Sequence, residues 1–358
     1  MSNHFYPLTI ADLQRETANA VCIRFDVPEA LKARFAFRAG QHLTLRTIWN
    51  GEEIRRNYSL CAAPQEGELK IAIKHIAGGV FSSFANQSLA VGQTLDVMPA
   101  MGRFTHDFTA DAHHNYVGIA AGSGITPVLS LLKAALLEEP DSQFTLIFGN
   151  RDSRSILFLE ELADLKNRYM GRLAVHHFLS AEADEIDWFN GRLTRAKLAE
   201  ICDSLVSVAK VDAFFICGPG AMMDNAEAVL RERGVGLEKI LVERFGIAPD
   251  TADDSREIAN RLQSATGLNF TAILDGRRRV IPFNPDKLNL LGSVQEAGLA
   301  APYACKSGVC ATCRAKLVSG SVEMVKNYGL NASELEQGYI LTCQSFPLGP
   351  DVVIDYDF

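Results

Sequence analysis

The chain has 358 residues, of which 47 % are hydrophobic and 22 % charged, with a formal net charge of −8. That length predicts two to three domains, and the acidic balance argues against nucleic acid as a partner, because phosphate binding wants a basic face. With no apolar run of about 18 residues and no basic-then-apolar opening of the secretory type, neither a membrane span nor export is expected, and a cytoplasmic protein is the default.

The first segment, 1–110, reads as strands and turns. Leu43–Ile48 and Leu69–Lys74 alternate apolar and polar residues, the pattern of half-buried strands. Turn signals at Asn50-Gly51 and Gly78-Gly79 separate such runs, so a small antiparallel β-barrel is expected. Two short motifs stand out in it. Arg56-Asn-Tyr58-Ser59 offers a cation, an aromatic face and a hydroxyl, as a flavin ring and its phosphates would need. An exposed strand end would read the same way. Lys74-His-Ile-Ala-Gly-Gly79-Val-Phe-Ser82 follows, with glycines and a serine opening a helix, where free N–H groups favour an anion.

Between 111 and 246 the rhythm changes to short apolar runs alternating with helical stretches. Runs at Tyr116–Ala121, Phe144–Asn150, Leu173–Phe178 and Ala213–Cys217 predict strands. Val128–Leu137, the stretch near Ile156–Asn167, and Ala221–Arg231 predict helices. This alternation predicts an α/β domain with a parallel sheet. Gly122-Ser-Gly124-Ile-Thr126-Pro follows the first strand and opens a helix, the place for a pyrophosphate, although such a turn can also be purely structural. Cys217-Gly218-Pro stands at another strand end, and ligands of open α/β sheets bind beyond those ends. Arg151 and Arg154 follow a third strand. Guanidinium groups there could clamp a 2′-phosphate, which favours NADPH while leaving NADH possible.

Residues 247–266 are polar and read as a linker. The last segment, 267–358, resumes with strands at Asn269–Leu274 and Arg279–Phe283 and a helix over Lys287–Ala297. Four of the eight cysteines then appear as Cys305-x4-Cys310-x2-Cys313, with Cys343 after twenty-nine intervening residues. This is the plant-type [2Fe–2S] spacing. A structural zinc site usually pairs two Cys-x-x-Cys hairpins, and only one is present. Cys22, Cys61 and Cys202 read as ordinary buried thiols.

The segment from 267 resembles the plant-type ferredoxins, through Pro302-Tyr-Ala-Cys-Lys-Ser-Gly-Val-Cys-Ala-Thr-Cys and Tyr339-Ile-Leu-Thr-Cys-Gln-Ser. The resemblance implies a β-grasp fold with Cys305, Cys310, Cys313 and Cys343 as cluster ligands. The two upstream segments resemble the ferredoxin–NADP reductase superfamily, through Arg-x-Tyr-Ser, Gly-x-x-Ser, the glycine turn and Cys-Gly-Pro. That resemblance implies that Arg56 holds the flavin pyrophosphate, Tyr58 packs on the isoalloxazine and Ser59 bonds near N5, with Lys74, Gly79 and Ser82 completing the site. Gly122, Gly124, Thr126 and Gly218 would bind the nicotinamide cofactor, Cys217 would lie beside its ring, and Phe245 would stand near the flavin. FAD is favoured, although some relatives use FMN.

Flavin, nicotinamide and ferredoxin modules in this order are similar to the reductases of bacterial aromatic-degradation oxygenases. Along nearly the whole chain, Arg-Ala-Gly40-Gln41-His42-Leu-Thr-Leu and the motifs above resemble the reductase-subunit family of phenylacetyl-CoA epoxidases. The resemblance implies a converter of paired electrons into single ones, with the oxygenase subunits of a multicomponent di-iron monooxygenase as partners. The reductases of other oxygenases remain the alternative. No Glu-x-x-His di-iron motif is visible in this chain itself. The last segment carries eight Lys plus Arg against nine Asp plus Glu. Long-range steering should therefore be weak, and Lys306 and Arg314 are candidate docking residues.

Overall fold

The computed structural model describes residues 4–49, 51–183, 185–245 and 262–358. Residues 247–261 of the expected linker and Asn50 of the expected turn lie outside the described residues. The chain divides into two compact units, 1–245 and 246–358.

Unit 1 begins with β1 (Tyr6–Thr17), β2 (Ala20–Asp26), β3 (His42–Trp49), β4 (Glu52–Ser59), β5 (Leu69–Lys74), helix α1 (Val80–Gln87) and β6 (Thr94–Met101). The strands form an antiparallel sheet in the order β4-β3-β6-β1-β2-β5. A bridge between Leu60, just past β4, and Ile71 of β5 brings its two edges together, so the sheet closes into a barrel. Alternation does the work here. Leu8, Ile10, Val21, Ile23, Leu43, Leu45 and Val97 are fully buried inside, and Phe81 and Ala85 of α1 join them.

The α/β part follows: β7 (Asn115–Ala121), α2 (Ile125–Glu138), β8 (Gln143–Asn150), α3 (Leu159–Arg168), β9 (Leu173–Leu179), α4 (Arg195–Ser204), β10 (Ala213–Cys217), α5 (Gly220–Glu232) and β11 (Ile240–Glu243). Its parallel sheet runs β11-β10-β7-β8-β9. The chain leaves β7 towards β8 and returns to its other side as β10, so the carboxyl end of β7 is the topological switch point, where such sheets bind ligands. Helix α3 begins later than the pattern near Ile156 predicts. Leu157 and Phe158 are buried as anchors, and Phe158 takes a left-handed conformation (φ 59°) immediately before the helix.

Helix α2 is apolar nearly all round because it is covered nearly all round, from Ile125 to Leu136. The Ser130 hydroxyl donates to the Ala62 carbonyl at 2.6 Å and accepts from the Gly40 amide at 3.2 Å. Lys133, 3 % exposed, meets Glu66 at 3.0 Å and also pairs with Glu161. These contacts tie the barrel to the parallel sheet. Their common core runs from Cys22 and Cys61 through Leu129 and Leu132 to Phe215.

Unit 2 contains β12 (Asn269–Leu274), β13 (Arg277–Pro282), α6 (Leu290–Glu296), β14 (Arg314–Ser319), β15 (Val322–Met324), α7 (Ala332–Glu336), β16 (Tyr339–Leu341), β17 (Ser345–Pro347) and β18 (Val352–Asp355). The sheet order is β13-β12-β18-β14-β16, with β15 and β17 paired beside it. The β12–β13 turn uses Asp275 (φ 52°) and Gly276 (φ 69°), the positive φ values a tight hairpin demands. Helix α6 starts at Leu290 instead of Lys287, because Leu288 is left-handed and the Asn289 side chain caps the Gly292 amide. Leu290 and Val294 of this helix are buried with Phe270 and Ile354 of the sheet. Folding of this unit begins before its first strand: Leu262 and Ala265, inside the stretch expected as linker, are buried in the same core.

Candidate functional site

The barrel presents one face of the β3–β4 hairpin to the parallel sheet. Ser59 stands directly opposite His42 in its register, and opposite residues of an antiparallel pair share a face. Ser59 is 3 % exposed. Next to it, Tyr58 lies half-buried, its ring centroid 5.5 Å from that of Phe81, and burial pushes its phenol up. Arg56 is exposed, and among the described residues its guanidinium bonds only the Arg55 carbonyl, at 2.7 Å. At α1 the first helical bond is donated by Ser83 to Gly79, which leaves the amides of Val80 to Ser82 without helical acceptors. The Ser82 hydroxyl is turned inward: it accepts from the Ile76 amide and donates to the Gly79 carbonyl, both at 3.1 Å. It orders this loop, and the backbone amides are what the loop offers an anion.

His42 is the residue that the sequence motifs pass over. It is 4 % exposed, and its Nε2 is buried without a partner. Burial pulls its pKa down to about 4, so the ring is neutral. Its Nδ1 lies 4.0 Å from an Oε1 of Glu243, and Glu243 ends β11 in register with Cys217 at the end of β10. Register and distance thus lead from Ser59 through His42 and Glu243 to Cys217. The signal lies in the hairpin pairing, which short motifs do not encode.

On the sheet side, Cys217 is fully buried. Burial, and then the Glu243 carboxylate, push its thiol well up, so it stays protonated and is no nucleophile. The two loops fit closely. A Cβ at Gly124 would lie 2.1 Å from the Cys217 carbonyl oxygen, and one at Gly218 would lie 2.8 Å from Met222 Cε. Gly122 (φ +52°) would place a Cβ 3.5 Å from Lys74 Nζ, so the lysine at the barrel's edge reaches the Gly122–Gly124 loop. The Thr126 hydroxyl is used locally, donating to the Ser123 carbonyl at 3.0 Å. Arg151 and Arg154 are exposed, and Asn150 beside them carries a buried amide whose two polar atoms lack partners. Phe245, 45 % exposed, closes the described part of this unit.

These features fit the groups that the modules imply. A half-buried aromatic face, a buried hydroxyl and an orphaned imidazole nitrogen suit a planar ring with polar edges. Free amides beside Arg56 and Lys74 suit its phosphates. Gly122–Gly124 and the unpartnered Asn150 amide suit a dinucleotide lying across the strand ends.

In unit 2 the four cysteines lie in two pairs. The Cys305 amide donates to Cys310 Sγ at 3.5 Å and the Cys310 amide to Cys305 Sγ at 3.4 Å, with the Ser307 amide also on Cys305 Sγ at 3.4 Å. Cys313 and Cys343 interact through their thiols. The loop reaches this shape by placing Lys306 (φ 54°) and Ala311 (φ 53°) in the left-handed region, alongside Gly308. Two thiol pairs fed by backbone amides fit a two-iron cluster better than zinc. The expected docking cations are engaged: Arg314 pairs with Glu334, and Lys306 donates to Gln295 at 3.2 Å. Docking through Arg314 would require breaking that pair.

Comparison with known proteins agrees module by module. The oxidoreductase FAD-binding domain family matches residues 7–106, the oxidoreductase NAD-binding domain family 119–228, and the 2Fe-2S iron-sulfur cluster binding domain family 272–348. The chain is 43 % identical to one of the subunits that make up the 1,2-phenylacetyl-CoA epoxidase of Escherichia coli (strain K12), over 99 % of this chain and 98 % of that one. It is 33 % identical to the ferredoxin reductase component of 3-ketosteroid-9-alpha-monooxygenase from Rhodococcus rhodochrous, covering 98 % and 96 %. In fold it is similar to phthalate dioxygenase reductase, with a TM-score of 0.58, 24 % identity and 98 % of both chains covered. Among the described residues no helix is long and apolar enough to cross a membrane.

Proposed function

Since the chain belongs to the family of oxygenase reductases that includes this component of the Escherichia coli 1,2-phenylacetyl-CoA epoxidase, we propose that it delivers electrons from NAD(P)H to the di-iron oxygenase subunits of a phenylacetyl-CoA epoxidase. The protein is an NAD(P)H-dependent oxidoreductase carrying FAD and a [2Fe–2S] cluster. Flavin chemistry supplies the step from a two-electron hydride to single electrons. The chain's residues supply placement. Tyr58, backed by the buried Phe81 ring, forms the aromatic wall, and Ser59 and His42 present neutral polar atoms towards the ring edge. Arg56, Lys74 and the amides opening α1, beside Gly79 and Ser82, hold phosphate. Gly122, Gly124 and Gly218 let the dinucleotide backbone approach, and Cys217, as an uncharged thiol, sets the nicotinamide ring against the flavin. Cys305 and Cys310 would bind one iron, Cys313 and Cys343 the other. Modules bounded at 1–110, 111–246 and 267–358 accommodate these roles, and eight free cysteines suit a reducing cytoplasm.

The observation that carries the reading is the packing of Gly124 on Cys217, with Lys74 of the barrel reaching Gly122. It supports a hydride donor bound by this loop beside a flavin held by the barrel, within one unit. The test is anaerobic titration of the purified protein with NADPH and with NADH, following flavin and cluster absorbance. Both chromophores should bleach, and the oxygenase subunits should then turn over phenylacetyl-CoA only when this chain is added. Flavin bleaching with an oxidised cluster, or turnover only with a different oxygenase, would refute the corresponding half.

A further inference from the structure

Resting on the reading of unit 2 as the cluster domain, we propose that Tyr356 is a positioning residue for the [2Fe–2S] group: its hydroxyl, acting through that of Thr342, holds Cys313 and Cys343, the pair that would bind one of the two irons. The fold brings these residues together from three elements. Cys313 closes the cysteine loop just before β14, Thr342 and Cys343 follow β16, and Tyr356 follows β18. Strands β14 and β16 pair with Arg314 opposite Leu341, which sets Thr342 against Cys313. The Thr342 amide donates to the Cys313 carbonyl at 3.3 Å, and its hydroxyl donates to the same oxygen at 2.9 Å. Thr342 thus grips one ligand through two bonds and directly precedes the other in the chain. Its own carbonyl accepts from the Leu291 amide of α6 at 3.0 Å, so the grip is anchored in the core.

Tyr356 completes the series. Its hydroxyl donates to Thr342 Oγ1 at 3.0 Å, so phenol, hydroxyl and carbonyl form one directed run of bonds, each polarising the next. Thr342 is fully buried, and a buried hydroxyl deprived of its partner costs stability and order. The phenol arrives preset. The Tyr356 amide donates to the Ile273 carbonyl at 3.0 Å. Beside it, the Asp357 carboxylate accepts from the Asp275 and Gly276 amides of the β12–β13 turn, at 2.8 and 2.7 Å. The Tyr356 ring packs on the core that contains Phe270, Cys313 and Cys343, and burial pushes its phenol up, so it serves as a neutral donor. A tyrosine that merely filled this core could give its hydroxyl to any acceptor. This one gives it to the residue that joins two cluster ligands. Supports of this kind around metal ligands contribute roughly 10- to 100-fold to metal affinity.

Cutting the series should leave a cluster that assembles but is held less well. In the full-length protein reconstituted with iron, sulfide and flavin, Tyr356→Phe should release iron to a chelator about tenfold faster than the wild type. Its cluster midpoint potential should fall, because the Cys313 peptide then draws less charge from its thiolate, while the flavin couple stays where it was. Thr342→Val should act in the same sense and more strongly, and Thr342→Ser, which keeps the hydroxyl, should behave as the wild type. Because Tyr356 acts through Thr342, adding Y356F to T342V should change little further. Asp357→Asn controls for stability alone: it weakens the turn contact and should lower the melting temperature of unit 2 without moving the potential. Iron release and potential that both stay unmoved in Y356F overturn the proposal. So do additive effects in the double variant, or a potential that D357N moves as far. A wild-type chain that takes up no iron and sulfide would instead refute the cluster reading, and the role of Tyr356 would fall with it.

Discussion

Cys217 in unit 1 and Cys305 in unit 2 are the same residue type in two proposed redox sites, and their surroundings push them in opposite directions. Around Cys217 there is burial and a nearby carboxylate, so the thiol is driven up and stays neutral. Around Cys305 the Cys310 thiol and then the Ser307 and Cys310 amides donate hydrogen bonds, which outweigh burial and bring it down to about 5. His42 belongs with Cys217, held neutral by burial alone. In the proposed hydride site the Cys217 thiol and the His42 ring thus stay uncharged, as suits transfer between two stacked rings. At the four cysteines one thiol of each pair is lowered, Cys305 and Cys343, while its partner, Cys310 or Cys313, is pushed well up. Desolvation holds Cys217 and His42 neutral, whereas donated hydrogen bonds bring one sulfur of each cysteine pair down.

The largest effect that would sharpen this contrast is at the cluster. Cys305→Ala should abolish cluster assembly, read as loss of iron and sulfide per chain, while reduced nicotinamide still bleaches the flavin at the wild-type rate. Loss of both functions in this variant would break the separation, since it would make the hydride site depend on the charged one.

Next in size is the close approach in unit 1. A Cβ at Gly124 would stand 2.1 Å from the Cys217 carbonyl oxygen, backbone that has no flexible side chain to give way. Gly124→Ala should force the two loops apart, at a cost of about 1–3 kcal/mol in stability. Misplacing the nicotinamide by an ångström should slow flavin reduction roughly 100-fold in stopped-flow measurements. Gly51, whose added Cβ would meet nothing, supplies a control: Gly51→Asn should leave the reduction rate unchanged.

Much of this was legible in the sequence for a physical reason. Cluster chemistry fixes cysteine spacing, and dinucleotide binding fixes a glycine turn between a strand and a helix, so both leave local motifs. The alternation in Leu43–Ile48 and the apolar run Tyr116–Ala121 gave the barrel and the parallel sheet. What a linear reading could not supply were residues whose role comes from partners far along the chain. His42 gains its meaning from Ser59 across a hairpin and from Glu243 some two hundred positions away. The inward turn of Ser82 follows from the Ile76 amide, which no Gly-x-x-Ser motif mentions.

A smaller effect concerns pH. The unfolded-state imidazole of His42 titrates near 6.5 and the folded one near 4. Above 6.5 both states are neutral and burial of the ring carries no protonation penalty. As pH falls from 6.5 towards 4 the unfolded chain takes up a proton that the folded chain refuses, so stability declines across that window and levels off below it. The full difference is about 3 kcal/mol, an upper bound because the neighbouring Glu243 carboxylate opposes it. His42→Asn should therefore flatten the decline in unit 1 melting temperature between pH 6.5 and 4. A parallel decline in the variant would mean that His42 is not held neutral by burial, and the contrast with the cluster site would lose one of its two legs.

The smallest effect tests the other leg. Gln344 follows the fourth cluster cysteine, and its Nε2 donates to the Cys343 carbonyl at 2.9 Å and to the Lys306 carbonyl at 3.1 Å. The two carbonyls fix which end of the amide faces the loop. Cys343 Sγ lies 3.7 Å from the same nitrogen, so it receives only a share of two hydrogens already committed elsewhere. If donors are what ready these sulfurs for charge, even a partial one should matter, because hydrogen bonds to cluster sulfurs raise the reduction potential. Gln344→Leu keeps the bulk against Gly308 and removes the donor. The cluster should still assemble with full iron content, and its midpoint potential should fall slightly in spectroelectrochemical titration while the flavin couples stay where they were. A potential that did not move would leave the tuning to the other donors, the Ser307 side chain with the Ser307 and Cys310 amides at Cys305 and the Gly308 amide at Cys343.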